Sequence, residues 1–179
     1  MKLKIKVKRL NKSIKLPTII NKGEWVDLRA AEEVKLNAPQ AATLKRHKIN
    51  GIEQSHRDVS FDIINIPLGI AVKLPRGFEA IILARSSTPK NFGIITANAM
   101  GVVDNTYSGN NDEWKYPAIS LKDTSIKEGD RICQFRIQLS QKASIWQKIK
   151  WMLSSGIKIV EVENLDKINR GGFGSTHIK

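Results

Sequence analysis

The sequence predicts an all-β protein, a sandwich or barrel of many short strands, and three observations carry that prediction. Apolar and polar residues alternate at period two in several runs, as in strands with one buried face. Pro, Gly, Asn and Asp stand between these runs at short intervals, as turn residues do. Only Ser144 to Leu153 sustains apolar residues at helical spacing. At 179 residues the chain is about one domain, large enough to bury a core.

The elements follow in order. Leu3, Ile5 and Val7 face one way and Lys2, Lys4, Lys6 and Lys8 the other, a lysine row suited to an edge strand. Gly23 to Ala30 reads as a turn and a short strand that carries Asp27, and Val34 to Leu36 resumes the sheet. Asn37 to about Ser60 reads as a basic insertion: Ala38 to Lys48 predicts a short helix starting at Pro39, and Asn50-Gly51 predicts a turn. His47 and His56 lack the spacing of a metal pair and read as exposed. Strands are expected at Phe61–Ile66, Ile70–Leu74, Glu79–Leu83, Gly93–Ala97 and Ala118–Leu121, punctuated by Pro67, Pro75, Gly77 and Pro89. Arg131 to Leu139 places Cys133, Phe135, Ile137 and Leu139 on one face, and Ile157 to Val162 is a further strand.

In Ser144–Leu153, Ile145, Ile149, Met152 and Leu153 recur at helical spacing behind a serine N-cap. Such a helix suits a membrane surface, a docking partner or its own barrel, and packing on its own barrel is the expectation. A Gly-rich arm, 165–179, closes a domain of 1–164 whose two insertions lie at about 37–60 and 141–156.

The hydrophobic fraction of 41% is that of a folded globular protein. A single cysteine, Cys133, excludes an intrachain disulfide and a cysteine-based zinc site and fits a reducing compartment. No apolar run approaches the ~20 residues of a membrane span, so no membrane partner and a cytoplasmic location are expected. The net charge of +13 favours polyanions, whether nucleic acid or a charged small substrate such as a nucleoside triphosphate.

The chemistry gathers between Gly93 and Gly109. An apolar strand there runs into Gly, Asn, Asp and Ser, which predicts a short hairpin holding one carboxylate, Asp104, and one ring, Tyr107. These are the parts needed to read a flat base by its edge and to activate a water beside it.

Five pieces stand in order: Asp27 in Val-Asp-Leu-Arg-Ala; Arg85-Ser86-Ser87; Asn98 to Gly109; Gly129-Asp130-Arg131-Ile132-Cys133-Gln134; and Arg170-Gly-Gly-Phe-Gly-Ser-Thr176. Together they resemble the five motifs of the trimeric dUTPases (dUTP diphosphatases), most closely those of Gram-positive bacteria and their phages. The resemblance covers all but the two insertions. It implies a distorted, jelly-roll-type β-barrel with a flexible C-terminal arm. It further implies hydrolysis of dUTP to dUMP and pyrophosphate, which removes dUTP and supplies dUMP for dTMP synthesis, in a bacterium or a phage-infected host.

Hydrolysis between the α- and β-phosphorus needs an aligned water and a base, for which Asp104 is the candidate. Arg85, Ser86, Ser87, Gln134 and Arg131 are the candidate partners of the triphosphate. The resemblance makes Asp27 the carboxylate for Mg²⁺, acting through water. It assigns the uracil edge to Asn98 and the backbone of Gly101 and Val103, and the deoxyribose to Tyr107. Phe173 would cover the base, Gly174, Ser175 and Thr176 would meet the phosphates, and Arg170 is a further substrate-binding residue. It also implies a homotrimer whose sites are shared between subunits.

Three features depart from the family pattern. Thr106 stands where many members have a second acid, Ser108 where arginine or lysine is common, and the tail between Arg170 and Phe173 is shorter. Two rival readings are a dCTP deaminase, for which the Asp104 position lacks the required glutamate, and a regulator binding nucleic acid or a repressor through the basic insertions.

Overall fold

A computed structural model describes residues 1–19 and 23–171. The chain opens with β1 (Leu3–Arg9), β2 (Val26–Arg29) and β3 (Val34–Leu36). Next come β4 (Gln40–Ala41), β5 (Lys45–Ile49), β6 (Ile52–His56) and β7 (Val59–Ser60). The middle of the chain forms β8 (Ile63–Lys73), β9 (Phe78–Ala84), helix α1 (Thr88–Phe92), β10 (Ile94–Thr96) and β11 (Gly101–Val103). It ends with β12 (Glu113–Ser120), β13 (Thr124–Ile126), β14 (Arg131–Leu139), helix α2 (Ile145–Met152) and β15 (Ile157–Glu161).

Two sheets share one core. One has the order β10-β12-β8-β1-β15 and the other β11-β9-β14-β2. Leu3, Ile5, Ile66, Leu68, Ile70 and Trp114 of the first face Leu28, Phe78, Ala80, Phe135 and Ile137 of the second. Trp114 meets Phe135 edge-on with ring centroids 5.2 Å apart, which ties the sheets at their centre. The sheet edges stay open, so the architecture is a distorted jelly roll and not a closed barrel. No described helix is long and apolar enough to cross a membrane.

Several expectations change. The lysine-rich first strand is internal: β1 pairs antiparallel with β8 and parallel with β15, which takes the edge. Pro67 does not break its strand, because β8 continues through it opposite a register shift in β12. A ladder that is already irregular there loses little when the proline offers no N–H. Pro89 does separate two strands, β9 and β10, and it does so from the first turn of α1, where its missing donor is tolerated.

The 38–48 segment is not a helix. Asn50 and Gly51 both have positive φ (51° and 79°), the two-residue turn that suits a twisted hairpin, and they pair β5 with β6. The alanine run is too short to compete with that register. The resulting arm is exposed throughout, including His47 and His56 as expected, and Asn37 and Ala38 anchor its base to Asp62 and Asp123.

The expected 93–109 hairpin also resolves differently. β10 pairs with β12 and β11 with β9, so the chain crosses from one sheet to the other at Asn98–Met100, where Ala99 has φ 58°. The segment is a corner between layers.

Candidate active site

Asp104 follows β11 directly. Its carboxylate accepts from the Thr106 N–H at 2.7 Å, from the Thr106 hydroxyl, and from Arg170 Nη1 at 2.6 Å. Arg170 Nη1 also donates to the Thr106 hydroxyl at 2.8 Å. Partial burial works to raise the Asp104 pKa, but the Thr106 and Arg170 hydrogen bonds outweigh it and hold the group below the usual carboxylate value. At neutral pH the group is therefore an ionised carboxylate with three donors, from two residues, fixing its orientation. Thr106, a departure from the family pattern, is thus in direct contact with the candidate base.

The turn after Asp104 is built from inside. Tyr107 N–H donates to the Asp104 carbonyl, and the Tyr107 hydroxyl donates to the Glu113 carbonyl at 3.0 Å. Partial burial and the nearby Asp112 and Glu113 raise the phenol's pKa, so it stays a donor. Buried Ser108 donates to the Asn105 carbonyl, and Asn105 donates to the carbonyls of Leu74 and Pro75.

Asp112 was not visible as a site residue in the sequence. It is 1% exposed, and its carboxylate accepts from Gly109 N–H at 2.7 Å and from Arg170 N–H at 2.9 and 3.0 Å. Asn110 and Asn111 add bonds to Leu165 and Asn169. A side chain at Gly109 would collide with the backbone of Asn169, so glycine is what lets the arm cross this turn. The signal in the sequence was the polar run Asn110-Asn111-Asp112 itself, but its partners on the arm are more than fifty residues away. Phe173, Gly174, Ser175 and Thr176 lie outside the described residues.

A second cluster forms at the other end of β9. Asp27, half of a β2 pair with Gln134, accepts from Arg85 Nε at 2.9 Å and from Arg131 Nη1 at 3.1 Å. Its side chain is 9% exposed and those of Arg85 and Arg131 are 23% and 43% exposed. One buried carboxylate thus orients two guanidiniums toward solvent. Thr88, also missed in the sequence, accepts from Arg85 N–H and donates to the Ile132 carbonyl at 2.7 Å, which locks the Arg85-Ser86-Ser87 loop to β14. Ser86 is exposed and Ser87 half-buried, and Gln134 donates to the Ala84 carbonyl at 3.4 Å. Cys133 is buried, which pushes its thiol well up and leaves it inert.

Asn98, Gly101 and Val103 line a third, shallow concavity of about 30 Å³ with Thr96 and Tyr116, whose hydroxyls lie 2.9 Å apart. A larger cavity of about 850 Å³ opens beside Asp104, with Arg76, Glu79, Lys142, Ser144, Gln147 and Arg170 around it.

Among the described residues no group of three or more His, Cys, Asp or Glu side chains comes together, and both Asp27 oxygens already hold arginines. A Mg²⁺ whose ligands are mainly phosphate oxygens and waters would ask no more of the protein than one nearby carboxylate, which Asp27 could supply through water.

The Asp104 and Arg85 clusters do not meet within one chain. Val103 stands opposite Ala80, whereas Arg85 follows Ala84 at the far end of β9, about 16 Å along the strand. Across the sheet, β11 and β2 are the two edges, three strand spacings or about 14 Å apart.

Comparison with known proteins gives a consistent result. The dUTPase family profile matches residues 60–177. The SPbeta prophage-derived deoxyuridine 5'-triphosphate nucleotidohydrolase YosS of Bacillus subtilis is 39% identical over 177 residues, covering 99% of this chain and 100% of that protein. Staphylococcus bacteriophage 80alpha dUTPase with dUPNHPP superposes with a TM-score of 0.56 at 17% identity, over 97% of this chain and 98% of that one. A mutant dUTPase of phage phi11 of S. aureus, which coordinates a structural Mg(II) ion, gives 0.57 at 15% identity over 79% and 94%. The chain belongs to the dUTPase family.

Proposed function

We propose that the protein hydrolyses dUTP to dUMP and pyrophosphate at a site assembled from more than one copy of the chain. The observation that carries this reading is Asp104, held ionised and oriented by Thr106 and Arg170. It stands one residue beyond β11, Gly101 to Val103, which lies at the edge of its sheet.

In the proposed reaction Asp104 takes a proton from a water lying in line with the α-phosphorus. The water oxygen forms the new P–O bond as the bond to the α,β-bridging oxygen breaks, and pyrophosphate leaves with the electron pair. Arg85 and Arg131, fixed by Asp27, counter the charge on the phosphates together with Ser86, Ser87 and Gln134. Mg²⁺ bound to the triphosphate would add charge neutralisation, with Asp27 reaching it through water. Asn98, Gly101 and Val103 select uracil, Tyr107 packs against the deoxyribose, and Phe173 with Gly174, Ser175 and Thr176 closes over the nucleotide.

The separation of Asp104 from Arg85 supports a shared site. A triphosphate whose α-phosphorus lies at Asp104 cannot also reach the same chain's Arg85 from that position, whereas a neighbouring copy can present its own. A homotrimer with three such sites is the arrangement this reading adopts.

The test is pyrophosphate release from dUTP with Mg²⁺, run beside UTP, dTTP and dCTP. Selective cleavage of dUTP is expected, with a rate about 10²–10⁴-fold lower in Asp104→Asn. Equal cleavage of all four, or full activity in the variant, would contradict the proposal.

A further inference from the structure

The cavity beside Asp104 has two walls, and each presents a cation. One wall is the turn between β8 and β9. The Asn105 amide donates to the Leu74 and Pro75 carbonyls at 2.8 and 2.9 Å, so the residue after Asp104 holds the turn that carries Arg76. The other wall is the segment between β14 and α2. Ser140 N–H donates to the Gly77 carbonyl at 3.0 Å, and a capping box of Ser144 and Gln147 fixes the start of the helix, with Lys142 between these two anchors. Trp151 packs on Phe78 with centroids 5.3 Å apart, and Gln147 lies against Gly77. The helix therefore turns Ser144 and Gln147 toward the cavity and leaves Trp146 and Met152 exposed.

These two cations differ from the other basic residues of the site. Arg85 and Arg131 share Asp27, and Arg170 pairs with Asp104. Among the described residues Arg76 and Lys142 have neither an ion pair nor a side-chain hydrogen bond, and both are exposed. Glu79, which also lines the cavity, accepts from the Gln138 amide at 2.6 Å. Two unpaired cations at one cavity complement an anion of several charges. Their place along the fold matters as well. Val103 stands opposite Ala80 on β9, so Asp104, the next residue, is level with Glu79. Arg76 lies three residues beyond Glu79, about 10 Å further at most. Gly101, Asp104 and Arg76 thus follow one another in that order along one direction.

On the reading above, a nucleotide with its uracil at Gly101 to Val103 and its α-phosphorus at Asp104 carries its β- and γ-phosphates on past Asp104. We propose that Arg76 and Lys142 bind the β- and γ-phosphates of dUTP, opposite the Arg85 and Arg131 that a neighbouring copy supplies. The inference rests on the dUTP reading and adds two residues to it, neither of which belongs to any of the five motifs. It also gives the 141–156 insertion a role, since Lys142 and the capped start of α2 form one wall of the phosphate site.

The experiment separates binding from chemistry. In the full-length Asp104→Asn protein, dUTP and dUMP are titrated calorimetrically with Mg²⁺, with and without Arg76→Ala/Lys142→Ala. The alanine pair is expected to bind dUTP at least about tenfold more weakly, whereas dUMP, which lacks the β- and γ-phosphates, changes less than about twofold. With Asp104 intact, the same pair should raise KM for dUTP by a similar factor and leave kcat within about threefold. Arg76→Lys/Lys142→Arg keeps both charges and should bind dUTP within about threefold of the parent protein. Unchanged dUTP affinity in the alanine pair, an equal loss for dUMP, or an equal loss in the charge-retaining pair would overturn the inference while leaving the dUTP reading intact. A wild type that neither binds nor cleaves dUTP would overturn that reading, and this inference with it.

Discussion

Asp104, Thr106 and Arg170 form a carboxylate with its own adjustment. The donors stabilise the ionised form, so the group is charged above its depressed pKa and loses its base function as pH falls through it. Removing one donor raises that pKa. Thr106→Val is therefore expected to move the acidic limb of the kcat/KM profile to higher pH, with the alkaline side unchanged, and a pH–rate series checks this. Asp112 is a different kind of residue, one that positions the others. Asp112→Ala leaves the Gly109 and Arg170 N–H groups without their acceptor and should cost about 1–3 kcal/mol. Urea unfolding measures that loss, and a raised KM for dUTP would report the loosened arm entry. The sequence showed Asp104, Arg85 and Asp27 because each sits in a motif. It did not show Asp112 or Thr88, whose importance comes from burial and from partners distant in the chain.

Among the elements, strands with one clean alternating face were legible, as β14 shows: Cys133, Phe135 and Ile137 point inward and Arg136 outward. What the sequence could not express was pairing. β10 and β11 look like one hairpin because they are close in sequence, yet each finds its partner in a different sheet. The 38–48 segment has helical composition, but the Asn50-Gly51 turn decides its conformation. For α2 the period was readable and the direction was not. Its inward face rests on Gly77, where φ is 84° and a Cβ would stand 2.2 Å from the Gln147 side chain. Gly77→Ala should therefore strain the turn and push the Gln147 side chain out of its capping bond to Ser144, with a cost of about 1–3 kcal/mol in thermal unfolding. An unchanged melting temperature would show that α2 does not depend on this contact.

At the scale of the whole molecule, the fold supplies a common scaffold and divides the chemistry between its two ends. β9 runs from the Asp104 cavity to the Arg85 loop, and on the proposed reading each chain offers one half of a site at each end. On that reading the net charge of +13 finds a use, with the phosphates held between cationic groups of neighbouring copies. The measurement that tests the account most directly mixes two inactive variants, Asp104→Asn and Arg85→Ala, after dissociation and reassembly. If Asp104 of one copy works with Arg85 of another, randomly mixed oligomers regain about a quarter of wild-type activity, the share of sites in which both groups are intact. If mixing restores nothing, although the variants co-assemble, the site is built within a single chain and the account is wrong.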